Sequence, residues 1–353
     1  SRDNQSEAYL LLSGKGLSRN TPQVMSILGE MLHKVRFDEA KRLQELLCQS
    51  KAEGEQSLTG KGHYLAMSLS ACSFNTISAL EELWSGGSAL LKIKKLCDQH
   101  KDRKVIDLIF KFFISIRDKI LTNSPKMMAF GEEESLKLAS DFLPYDCTGG
   151  NLLDSNFISK VPNLANRNCW LIESQVNFCS LSFSAVSDCS PDAPILAVLG
   201  KYLQEGFLHR KIRESGGAYG SGANYFPDSQ SFKFFSYRDP RLFETIADFK
   251  DSIQWVLSDK NKEQLEQATL GVIRGLDSSL SKIAEADRSF MASLYGKRDC
   301  DIAAFRQGVL GVSHIKLVEV AEKYLLKEGR IGLVASKGND RSLIETRCKT
   351  DFL

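Results

Sequence analysis

The run Lys211-Ile212-Arg213-Glu214-Ser215-Gly216-Gly217-Ala218-Tyr219-Gly220 sets a guanidinium and a phenol six positions apart across a Gly-Gly break. Both groups donate hydrogen bonds that suit carbonyl oxygens: the guanidinium is a planar fork of N–H donors, and the phenol adds one O–H. A helix ending near Ser215 places Arg213 in its last turn, and the strand that follows carries Tyr219. The two side chains then converge on one sheet edge. Gly216 and Gly217 have no Cβ, so a peptide backbone can come close beside them and Ala218. Donors held in this way can bind a substrate carbonyl and stabilise the oxyanion formed when a nucleophile attacks it. The plainer alternative is an arginine pairing with the helix end and a tyrosine packed on the sheet.

Metal chemistry has little support in the spacing. No two of the five histidines (His33, His63, His100, His209 and His314) lie within four residues of each other. A catalytic zinc takes three protein ligands on a rigid scaffold. Cys97-Asp98-Gln99-His100 is the only tight Cys/His pair, and two ligands do not make a site, so no metal is expected on this chain. The glycines between Gly216 and Gly222 lack the Gly-Lys-Ser/Thr that a phosphate loop requires, so nucleotide binding is not expected. His209 reads as a surface or packing residue. Arg238-Asp239-Pro240 reads as a strand-to-helix turn, with Asp239 as N-cap and Pro240 at the first helical position.

Hydrophobic periodicity places the elements that would hold these groups. Ala8–Leu12 reads as a short buried strand. Thr21-Pro22 opens a helix with Val24, Leu28, Met31 and Val35 on one face. A second helix runs from Phe37-Asp38 towards Gly54, and others are predicted over 61–73, 76–98 and 103–121. A strand at 125–130 and a helix over 132–143 close this half. Cys147–Asn151, with Gly149-Gly150, is the linker candidate, which gives units at 1–150 and 151–353. Beyond it, alternating apolar residues from Trp170 to Phe183 suggest two strands. Ser190-Pro191 starts a helix whose stripe includes Ile195, Val198, Leu199, Tyr202, Leu203 and Ile212. Strands at 218–225 and 231–237 follow, then helices over 240–257, 261–283, 286–295, 300–309 and 315–327, and a strand at 330–335. Met127–Gly131 echoes Gly332–Ala335, which suggests a repeated domain.

Composition excludes more than it selects. At 353 residues, two domains are the better expectation. A formal net charge of +2 gives no reason to expect nucleic acid or an anionic membrane as partner. No apolar run approaches the roughly 20 residues needed to cross a bilayer. Nine cysteines with no C-x-x-C pair point to a reducing compartment.

The Arg-Gly-Gly-Tyr run is followed by Phe234-Phe235-Ser236-Tyr237-Arg238-Asp239-Pro240 and Glu244-Thr245. Together they resemble the C-terminal half of the single-chain zinc peptidases of the pitrilysin/insulinase family, in the branch that includes presequence protease and falcilysin. Gly14-Lys15-Gly16-Leu17, Arg19-Asn20, Phe37-Asp38 and Gly62-His63-Tyr64-Leu65-Ala66 resemble the preceding domain of that family. The resemblance implies an α+β fold of two α/β sandwich domains of the LuxS/MPP-like type. Each would have a mixed sheet with helices on one face, and the first would be incomplete. It also implies a zinc site, built on H-x-x-E-H, that this chain lacks and that an N-terminal catalytic half would supply. The expected partners are that half and unfolded peptides such as cleaved targeting sequences. Arg213 and Tyr219 would be the catalytic donors, and Gly216, Gly217 and Ala218 would contact substrate. The implied location is organellar, mitochondrial or plastid-like. A different class of function, a non-catalytic peptide-binding or structural subunit of the same fold, also fits these residues.

Overall fold

The computed structural model describes residues 8–122, 125–141, 164, 168–258, 262–338, 344, 346 and 348–352. Contacts divide the chain into two compact units. One comprises residues 1–49, 95–159 and 280–296; the other comprises 50–94, 160–279 and 297–353. The expected boundary at Cys147–Asn151 lies outside the described residues. Residues 50–94 group with the later part of the chain.

The first unit is helical among its described residues. α1 (Thr21–His33) follows a 3-10 turn with Asn20 at its N-cap position, so it opens at Thr21-Pro22 as the sequence predicts. α2 (Ala40–Ala71) begins in this unit and continues through Gly54 as one helix where two were expected. α5 (Arg103–Leu121) is capped by the Asp102 carboxylate, which accepts from the Lys104 N–H at 2.9 Å. α6 (Glu133–Ser140) and α10 (Lys282–Leu294) complete it. The strands expected at 8–12 and 125–130 do not form. Both segments are largely exposed, with no ladder partner among the described residues, and a lone apolar run without a neighbour has nothing to pair its backbone with. The echo of Met127–Gly131 with Gly332–Ala335 is therefore not a repeated strand.

The second unit is built on a six-stranded mixed sheet in the order β3-β4-β2-β5-β1-β6. Its strands are β1 (Cys169–Ile172), β2 (Phe178–Ser184), β3 (Gly220–Phe226), β4 (Ser231–Tyr237), β5 (Arg330–Ser336) and β6 (Thr350–Phe352). β1 lies parallel to β5 and β6, while β2, β3 and β4 pair antiparallel. Nothing in the sequence pattern signals β6. On one face, Cys169, Leu171, Cys179, Leu181, Phe183, Phe232, Phe234 and Leu333 meet a large apolar core. That core is supplied by α7 (Ala193–Leu203), α8 (Phe243–Ser258), α9 (Lys262–Leu276), α11 (Asp299–Leu310) and α12 (His314–Leu325).

The opposite face is covered too, by residues from 50–94. Trp170, Ile172, Phe178 and Val334 pack against Leu58, Leu65, Ala66 and Leu69 of α2 and Leu90 of α4 (Gly87–Asp98). The class is α+β as expected, but helices lie on both faces of this sheet where the family resemblance implied one. Ser180 and Ser182, on the α2 side of β2, are buried against the Ser70 hydroxyl at 3.0 and 2.6 Å. These small polar residues bring the helix backbone close. At Gly332 of β5, a Cβ would collide with the Ala66 carbonyl and lie 2.6 Å from the Ser70 nitrogen. Gly332→Ala is therefore expected to lower unfolding free energy by about 1–3 kcal/mol in urea denaturation, because helix backbone cannot rotate aside as a side chain can.

The helix expected over 76–98 divides into α3 (Thr76–Ser85) and α4 at Gly86, whose backbone is extended. Buried Glu82 causes the break. Its carboxylate occupies the space of a Gly86 side chain and accepts from the Ser88 N–H and the Ser68 hydroxyl, both at 2.8 Å. It thereby caps α4 from the preceding helix.

Candidate functional site

α7 continues into a π-helix, Gln204–Glu214. Such wide turns are rare and concentrate at functional sites. Here the i→i+5 winding sets residues four and five apart astride one face. Arg213 Nη1 lies 3.1 Å from His209 Nε2, and His209 Nδ1 lies 3.3 Å from Glu214 Oε1. In the neutral ring this network assigns the proton to Nδ1, so that Nε2 accepts from Arg213 while Nδ1–H points at Glu214.

The helix ends as its glycines require. Gly217 has φ +79°, and its N–H donates to the Arg213 carbonyl at 3.1 Å. The Ala218 N–H donates to the Ile212 carbonyl, also at 3.1 Å. Leu208, Ile212 and Ala218 are buried beneath this turn and fix it to the core. Tyr219 immediately precedes β3, an edge strand, and its N–H donates to the Tyr237 carbonyl at 3.1 Å. The phenol projects outward, 69% exposed, with its ring edge-on to Tyr237 at 5.7 Å. Tyr237 in turn rests against Phe178 and His63.

His209, Arg213, Glu214, Gly217, Ala218, Tyr219 and Arg238 line one open concavity of about 720 Å³. Four of the five residues singled out from the sequence are thus brought together. Gly216 is not in the lining; the space of its missing side chain is filled by the Arg241 guanidinium and the Ile212 carbonyl. Three lining residues are site members that the sequence does not reveal. His209 reads there as a surface or packing residue, Arg238 as part of a strand-to-helix turn, and Glu214 carries no role. His209 and Arg213 lie one helical turn apart, as they would in an ordinary α-helix. The π-winding adds the Glu214 contact to His209, and nothing in residue types signals that winding.

Arg238 sits at φ +49°, an uncommon conformation for a residue with a Cβ. The next residue holds it there. Asp239 bridges to Asn177 through paired backbone hydrogen bonds of 2.8 Å. Its buried carboxylate accepts from the Arg241 N–H at 2.9 Å and from the Thr245 hydroxyl at 2.7 Å. Asp239 does not cap a helix, nor is Pro240 a first helical residue, because α8 starts only at Phe243. The carboxylate closes the loop instead.

Burial pushes the Asp239 pKa up, against the smaller opposing pull of these hydrogen bonds. The raised value means the folded state holds this proton more tightly than the unfolded one. The cost of ionising Asp239 is absent below the ordinary carboxylate pKa and grows as pH rises through the folded value. Asp239→Asn removes that titration. The stability of the wild type relative to this variant should therefore fall across that window, as followed by thermal melts at stepped pH.

Comparison with known proteins places the chain in a family. Residues 1–96 match the family model described as associated with peptidase family M16, subfamily C, and residues 167–336 match the PreP C-terminal domain. The chain belongs to the pitrilysin/insulinase (M16) peptidase family. It is 24% identical to a mitochondrial presequence protease of Yarrowia lipolytica over 94% of this chain and 33% of the relative. The corresponding enzyme of Mus musculus is 26% identical over 92% of this chain and 34% of its own length. The chain therefore spans about a third of the length of these relatives.

Among solved structures, pitrilysin superposes with a TM-score of 0.59 at 12% identity, covering 95% of this chain and 36% of that one. A conserved protein from Enterococcus faecalis gives 0.58 at 13% identity, covering 94% and 77%. At these identities the likeness concerns the fold. M16 zinc chemistry needs the inverted H-x-x-E-H motif, and no pair of this chain's histidines has that spacing. The residues present do not fit the catalytic metal, and no step runs through it on this chain. No helix among the described residues is long and apolar enough to cross a membrane.

Proposed function

We propose that this chain forms the substrate-binding, C-terminal half of a zinc metalloendopeptidase that degrades unfolded peptides, such as cleaved targeting sequences, inside a closed chamber. The observation that supports it is the shared concavity. Arg213 and Tyr219 face one open space at a sheet edge, beside a Gly217-Ala218 backbone that an extended peptide can approach. The phenol and guanidinium are donors for a scissile carbonyl and for the oxyanion that replaces it. His209 and Glu214 hold the guanidinium in place, and Tyr237 backs the phenol.

In this reading the attacking water and its metal come from the zinc-bearing N-terminal half of the same protein, and closure of the two halves on a peptide completes the site. The mitochondrial names of the relatives suggest the same organelle for this chain. The reading is tested by mixing. The purified chain is expected to leave an unfolded presequence-like peptide intact, and turnover should appear on adding the zinc-bearing half. Hydrolysis by this chain alone, insensitive to that addition, would sink the proposal.

A further inference from the structure

We infer that Cys48, Cys97 and His100 form a binding site for a borderline-soft divalent cation, zinc by preference. The sequence offered only the Cys97–His100 pair. The fold adds a third donor, because α2 carries Cys48 to the C-terminal end of α4, and the three ligand atoms lie within 4.8 Å of one another. Cys48 Sγ and Cys97 Sγ are 3.2 Å apart, and neither is in a disulfide. Two thiolates and one imidazole are a zinc-type donor set, and hard cations such as magnesium or calcium would take oxygen ligands instead.

Two further details prepare the site for a cation. His100 Nδ1 contacts the Cys97 carbonyl oxygen, and two acceptors would repel there, so Nδ1 carries the ring hydrogen. That leaves the Nε2 lone pair available, and a backbone carbonyl orienting the ligating imidazole is a common outer-shell arrangement in metal sites. The His100 backbone is itself tied down, its carbonyl accepting from Gln44 Nε2 at 2.8 Å. The site also sits where α4 ends at Asp98, and the negative pole of a helix favours a positive ion. Cys97 is buried and His100 half-buried, whereas Cys48 is exposed. A solvent molecule can thus complete four-coordination from the open side. Binding balances as two thiols losing two protons while two metal–sulfur bonds and one metal–nitrogen bond form, so the neutralised thiolates leave no net charge on the site.

The test uses the full 353-residue chain, reduced with a phosphine, stripped by a chelator and titrated first with cobalt(II) and then with zinc(II). One equivalent of cobalt should give thiolate-to-metal charge transfer with tetrahedral visible bands. Zinc should bleach both, and about two protons should be released per metal in weak buffer. Cys48→Ser changes an exposed residue and should fold normally, while halving the charge-transfer intensity and weakening zinc roughly hundredfold. Cys189→Ser, at an exposed thiol elsewhere, should change neither. Absence of the charge-transfer band, or a band and affinity unaltered in Cys48→Ser, would overturn the assignment. So would a Cys48–Cys97 disulfide in the untreated chain with no metal uptake after its reduction.

Discussion

Arg213→Ala and Tyr219→Phe, each made in the reassembled or full-length enzyme, should lower peptide turnover by about 10²–10³-fold, the usual loss for one oxyanion donor. Neither change should measurably unfold the protein. Arg213 is exposed and Tyr219 is 69% exposed, and the buried anchors of the turn are Leu208, Ile212 and Ala218, which both variants retain. Surface substitutions of this kind cost at most about 0.5 kcal/mol. The kinetic pattern separates the two roles. Tyr219→Phe deletes one hydroxyl and keeps the ring on Tyr237, so a fall in kcat with KM unchanged would mark a contact made only in the transition state. A rise in KM with Arg213→Ala would instead mark a guanidinium that binds the substrate carbonyl before reaction. If both variants turn over peptide at the wild-type rate, the donors have no catalytic part and the helix-end packing alternative stands.

The legible part of this site is local, and the illegible part depends on distant chain. Arg213, Gly217, Ala218 and Tyr219 can be placed from the sequence because a helix end, a left-handed glycine and an edge strand follow one another within seven residues. The contact of Glu214 with His209 depends on the winding of the same helix. Arg238 depends on a loop held by Asn177, some sixty residues earlier in the chain. The fold shows the same division. α5, β4 and β5 lie where periodicity puts them, since each has a strong apolar pattern and clear ends. β6 is three residues long and invisible to any periodicity.

The coverage of the sheet's second face escapes the sequence for an instructive reason. Cys179, Leu181 and Phe183 alternate with Ser180, Ser182 and Ser184, the pattern of a strand with one face in water. Ser180 and Ser182 are nonetheless fully buried, because Ser70 of α2 satisfies their hydroxyls. Small polar side chains that hydrogen-bond to one another permit close packing as apolar ones do, and hydropathy alone does not separate that from exposure. The same long-range pairing hides the Cys48–Cys97–His100 cluster, whose first and last members are 52 positions apart in sequence but share one helix end in the fold.

Trp170→Ala is expected to be the most destabilising single change on this second face, by about 3–5 kcal/mol. The indole is fully buried on β1, paired in register with Val334 and Asp351, and belongs to the cluster with Leu58, Leu65, Leu69 and Leu90. At Gly87, the first residue of α4, an added Cβ would collide with this ring, so the helix start rests directly on it. Truncation leaves a cavity that neither neighbour can fill, because β1 is held on both sides by parallel ladders and α4 is pinned through the Glu82 cap. The loss should therefore fall on the attachment of residues 50–94 more than on the core beneath Phe232 and Phe234, which lies across the sheet. Urea denaturation measures the total, and limited proteolysis locates it: cleavage within α3 and α4 should appear at denaturant concentrations where β2 and β4 remain protected. Trp170→Phe keeps an aromatic ring over Gly87 and should recover most of the loss. A destabilisation below about 1 kcal/mol for Trp170→Ala would mean that residues 50–94 are held to the sheet by the Ser70 and Gly332 contacts alone.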